Sequence, residues 1–69
     1  MKPEQVDRLK TRYPEGSRVK LLEMEDPFAP PTGTLGTVTG VDDIGSILVN
    51  WDNGSRLNVI FGVDRIVKI

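Results

Sequence analysis

Ile47-Leu48-Val49-Asn50-Trp51-Asp52-Asn53-Gly54-Ser55-Arg56-Leu57-Asn58-Val59 reads as two strands joined by a tight loop. Ile47, Val49 and Trp51 on one side, and Leu57 and Val59 on the other, recur at the period of two that marks a half-buried strand. Two registers compete. A two-residue loop at Asn53-Gly54 sets Trp51 opposite Arg56 and Val49 opposite Asn58, which mixes polar and apolar residues on one face. A three-residue loop, Asp52-Asn53-Gly54, closes Trp51 on Ser55 and pairs Val49 with Leu57 and Ile47 with Val59. A slip of one residue turns every side chain to the other face, so the apolar pattern selects the second register. The expected turn is type I, with Gly54 in the left-handed region of a G1 bulge.

The same period extends in both directions. Upstream, Thr34 to Asp42 forms a strand with Val38 inward between Gly36 and Gly40, and glycine inside a strand predicts a bulge or a sharp bend. Before it, Val19 and Leu21 alternate with Arg18 and Lys20. Downstream, the turn Phe61-Gly62-Val63-Asp64 leads to a last strand, Arg65 to Ile69. At the N-terminus, Pro3 suits the first turn of a helix, with Glu4 and Asp7 at its positive end and Lys10 and Arg12 at its negative one. Val6, Leu9 and Tyr13 share one face, and Pro14 with Gly16 ends the helix. About ten residues do not hold a helix in isolation, so this one docks as a lid or frays as an arm. The expectation is a single all-β, mainly β domain: a five-stranded SH3-like barrel over residues 14–69, with a short N-terminal α-helix over 1–13. Its expected core is Val19, Leu21, Val38, Ile47, Val49, Trp51, Leu57, Val59 and Val63.

Size and composition narrow the function. A chain of 69 residues buries only about 60% of its surface on folding and has no second layer to enclose a deep cavity. Histidine and cysteine are both absent, which removes disulfides, thiolate nucleophiles, zinc-finger ligand sets and histidine bases. Ser17, Ser46 and Ser55 therefore lack a histidine partner. Neither Glu25-Asp26 nor Asp42-Asp43 is a ready acid–base dyad, because neighbours on a strand point to opposite faces. No glycine-rich phosphate loop is present, and Asp42-Asp43-Ile44-Gly45 lacks the alternating carboxylates of a calcium loop. The expectation is a non-enzyme without cofactor or metal. With no secretory leader and no long apolar run, it is expected in the cytoplasm and away from membranes.

The net charge of −1 conceals a segregation. Lys2, Arg8, Lys10, Arg12, Arg18 and Lys20 make the first twenty residues basic. Residues 21–54 hold Glu23, Glu25, Asp26, Asp42, Asp43 and Asp52 and no basic residue at all; Arg56, Arg65 and Lys68 follow. Two sites are suggested. The first is an acidic loop face of Glu25, Asp26, Phe28 and Asp43 with Trp51, where aromatic rings beside carboxylates seat a cationic segment of an unidentified protein or peptide. The loop Glu23 to Thr34 is stiffened by Pro27, Pro30 and Pro31, and Phe28 either staples it to the barrel or stands out for a partner. The second, an alternative, is a nucleic-acid site on Arg8, Lys10, Arg12, Arg18 and Lys20, set against a pI of about 5.2. Free sheet edges leave self-association open.

A succession of motifs adds a resemblance. Tyr13-Pro14-Glu15-Gly16-Ser17-Arg18-Val19 is followed by Met24-Glu25-Asp26-Pro27-Phe28-Ala29-Pro30 and Gly33-Thr34-Leu35-Gly36-Thr37-Val38. Val41-Asp42-Asp43-Ile44-Gly45, Val49-Asn50-Trp51-Asp52-Asn53-Gly54-Ser55 and Gly62-Val63-Asp64 complete it. From Tyr13 onward the chain resembles the bacterial family known as domain of unknown function 4314. The resemblance implies a Gram-positive source, often near mobile elements or phage genes, and it implies no activity.

Overall fold

In the structure, a computed structural model that describes residues 1–69, one helix precedes five strands. They are α1 (Pro3–Arg12), β1 (Arg18–Glu23), β2 (Leu35–Val41), β3 (Ser46–Trp51), β4 (Val59–Ile60) and β5 (Arg65–Lys68). The strands form one antiparallel sheet in the order β4-β3-β2-β1-β5. β4 and β5 are thus its two edges, yet only residues 61–64 connect them, and the Asp64 N–H donates to the Ile60 carbonyl at 2.9 Å. A sheet whose edges are joined by four residues has to curl until they meet, and Leu22, Ile47, Val59 and Ile66 face one hollow along that seam. Bulges between Val38 and Gly40 and between Leu21 and Glu23 supply the bending.

The hairpin takes the three-residue loop. Ile47 pairs with Val59, the Trp51 N–H donates to Ser55 at 3.0 Å and Gly54 to Trp51 at 2.9 Å. Gly54 has φ +92°. The strand after the loop is shorter than expected, because Leu57 does not join the ladder and is only half-buried. Its carbonyl instead accepts the Trp51 indole N–H at 2.9 Å, giving a buried donor the partner it needs. Gly36 serves a different end from the expected bend. It lies opposite Trp51, and a Cβ there would stand 2.6 Å from Val49 Cγ1 and 2.7 Å from Trp51 Cε3.

The core comprises Val19, Leu21, Val38, Val41, Ile47, Val49, Trp51 and Val59, joined by Val6 and Leu9 from the helix and Tyr13 from its C-cap. α1 is therefore a lid, and residues 1–13 and 14–69 share one core. Lys68 Nζ, donating to the Arg12 carbonyl at 3.2 Å, ties the helix end to β5. The Lys2 side chain offers no acceptor to the first turn, but Gln5 Oε1 accepts the Lys2 N–H at 3.0 Å, half of a capping box. Val63, expected inside, is 67% exposed: it sits in a turn where Val63 and Asp64 both donate to the Ile60 carbonyl, which casts its side chain outward. No helix is long and apolar enough to cross a membrane.

Candidate functional site

The loop between β1 and β2 is built to hold one aromatic ring in water. Its base is pinned where Gly33 donates to the Leu21 carbonyl at 2.8 Å and Leu21 to the Thr34 carbonyl at 2.9 Å. Pro30 is buried and anchors the middle. At the tip, Asp26 Oδ1 accepts the Phe28 N–H at 2.8 Å, and the Asp26 carbonyl accepts the Ala29 N–H at 3.0 Å. This aspartate turn, with Pro27 inside it and Pro30 just after it, leaves Phe28 82% exposed with Glu25 and Asp26 exposed beside it. Of the two roles open to Phe28, the structure takes the outward one.

The rest of the expected acidic face does not assemble around it. Trp51 is 3% exposed and belongs to the core, so it offers nothing to a partner; its place opposite a glycine is what lets the sheet cover it. Asp43 lies beyond the far end of β2, about 20 Å along the strand from where the loop joins it, and shares a hollow with Met1, Val6, Asp7 and Lys10. Asp42 is a turn residue, its Oδ1 accepting from Ser46 at 2.8 Å and Ile44 at 3.2 Å. Nowhere do three carboxylates gather. The loop face therefore consists of Glu25, Asp26 and Phe28.

The basic residues are dispersed too. Arg18 grips Asp52 with both ends of its guanidinium, at 2.9 and 2.7 Å, and reaches Thr37 Oγ1 at 2.9 Å. The hydrogen bonds between Arg18 and Asp52, with the opposite charge, raise the Arg18 pKa and hold the Asp52 carboxyl below its ordinary value, against a smaller opposing desolvation. Arg18 is thereby committed within the sheet. Lys20 is exposed on β1. On α1, Lys10 borders the hollow with Asp43, whereas Arg8 and Arg12 line another on the opposite flank. The five do not form one stripe.

That other flank holds a feature the sequence reading left aside. Phe61, 48% exposed, faces Met1, Gln5, Arg8 and Arg12 across a hollow of about 250 Å³. A second hollow of about 180 Å³ shares Arg12 and Phe61 with it and continues along the barrel seam past Leu22 and Ile66 to Arg65. Together they make a groove with an apolar floor and arginine walls. Its one carboxylate, Asp64, holds the turn by accepting the Ile60 N–H at 2.9 Å. No spacing in Val59-Ile60-Phe61 gave the signal: a period of two sets Phe61 on the inward face with Val59, but β4 ends at Ile60 and the turn that follows leaves the ring half-exposed.

The family model described as domain of unknown function (DUF4314) matches residues 2–69. The chain belongs to the DUF4314 family. No curated protein and no solved structure matches it. This DUF4314 domain thus presents two unlike surfaces, an acidic loop tipped by Phe28 and an arginine-walled groove floored by Phe61 and Leu22.

Proposed function

We propose that this DUF4314 domain is a non-enzymatic protein-interaction module of the cytoplasm whose anchor is Phe28. The supporting observation is that a large apolar side chain, 82% exposed, is held out by a loop whose turn, base and prolines are all fixed. Burying such a ring in a partner yields about 1.5–3 kcal/mol, and a loop already ordered loses little entropy on binding. Glu25 and Asp26 beside it define the partner: an apolar pocket with cationic side chains at its rim. A chain without cysteine suits a reducing compartment.

Photo-crosslinking tests this. p-Benzoylphenylalanine at position 28 is expected to give discrete adducts in the cells the chain comes from, lost when Glu25→Lys and Asp26→Lys are added. The same probe at Ile44, exposed in the turn between β2 and β3 and lining neither the loop nor the groove, is the control. No adduct from position 28, or the same adducts from position 44, would overturn the proposal.

A further inference from the structure

We infer that the groove along the barrel seam is the docking site for the Glu25–Phe28 loop of a second copy of this chain, which names the partner of the loop and rests on the reading of Phe28 as an anchor. Arg8 and Arg12 stand one helical turn apart on the groove wall, and neither takes part in an ion pair. Glu25 and Asp26 on the loop are exposed and equally without one. Unpaired cations on one surface and unpaired carboxylates on the other give the contact its electrostatic complementarity. The groove floor suits the ring: its larger hollow, about 250 Å³, exceeds the cavity of about 150 Å³ that holds a benzene molecule. Phe28 enters that hollow beside Phe61, against Met1 and Leu9, where offset aromatic packing is available.

The placement of the two surfaces sets the symmetry. Leu22 lines the groove, and the next residue, Glu23, reaches Arg65 of the groove at 3.9 Å before the loop begins at Met24. Donor loop and acceptor groove are thus neighbours on one molecule, so a two-fold axis between two copies lets each loop enter the other's groove. Both contacts are then made at once, and the assembly closes as a dimer instead of growing into a chain.

Sedimentation of the full chain from about 10 μM to about 1 mM, the range over which weak contacts saturate, tests this. The expected result is a dimer weakened by high salt and by about tenfold or more in Phe28→Ala and in Arg8→Glu/Arg12→Glu. All three positions are exposed, so the variants keep the fold. The two variants mixed are expected to associate more tightly than either alone, since together they restore one intact loop and one intact groove. A chain that stays monomeric at every concentration, or a dimer that neither variant weakens, overturns the inference. If the chain is monomeric while the position-28 probe still captures another protein, the second copy is the wrong partner and the anchor reading stands. If Phe28→Ala leaves a dimer intact and the probe captures nothing, both fall.

Discussion

Trp51 and Phe28 are both aromatic, both close to aspartates in sequence, and they end in opposite environments. Trp51 lies on a paired strand, across a glycine whose missing Cβ leaves room for the indole, and its N–H finds the Leu57 carbonyl. Phe28 lies at the tip of a loop whose inward position is already filled by Pro30. Whether an aromatic residue is core or surface here depends on what stands opposite it, not on its own hydrophobicity. The flanking aspartates differ too: Asp52 is tied to Arg18 of β1 in a surface ion pair, and Asp26 turns its own loop.

The strongest way to break this contrast is to fill the space beneath the indole. Gly36→Val is expected to cost about 3 kcal/mol, since its Cβ would meet both Val49 and Trp51, and urea denaturation with tryptophan fluorescence reads the loss directly. A Gly36→Val variant as stable as the parent would show that Trp51 is not held by that contact. Next in size is the loop that sets the Trp51 register. Gly54→Val, at φ +92°, is expected to cost about 1–3 kcal/mol, and Asn53→Val less; equal losses would mean that the left-handed residue does not fix the hairpin.

The Arg18–Asp52 pair responds to pH in a stated direction. Asp52 is held below its ordinary carboxylate value of 3.8, so the folded state prefers it ionised. Its contribution is therefore present above that value and is lost as pH falls through the lower folded one. The stability gap between the parent and Asp52→Asn is expected at neutral pH and narrows on acidification and in high salt; a gap that widens in acid contradicts the assignment. Smallest of all, Phe28→Ala is expected to leave stability within about 0.5 kcal/mol. A loss of several kcal/mol on thermal melting would mean that Phe28 staples the loop to the barrel after all.

Much of the fold was legible because it rests on local periodicity. Val6, Leu9 and Tyr13 at helical spacing, Val19 with Leu21, and Ile47, Val49 and Trp51 at strand spacing all occupy the positions their periods assign. Leu57 and Val63 broke the pattern, one because an indole engages its carbonyl and one because its turn points it outward. The site was less legible. Glu25, Asp26 and Phe28 hold together since they are neighbours in one stiff loop, whereas Asp43 and Trp51 were joined to them by charge and chemistry alone and lie elsewhere. The groove of Arg8, Arg12, Phe61 and Leu22 draws on the helix, a strand end and a turn, and no spacing in the chain announces it.

The amino-acid sequence by itself determined the class of fold, the hairpin register and the absence of histidine and cysteine chemistry, because these follow from residue type and from periods spanning a few residues. Only the tertiary structure decided which charges meet, which aromatic ring is covered, and that α1 and the seam enclose a groove. Those outcomes depend on how a curled sheet brings distant segments together, and a period read along one strand carries no information about what crosses it.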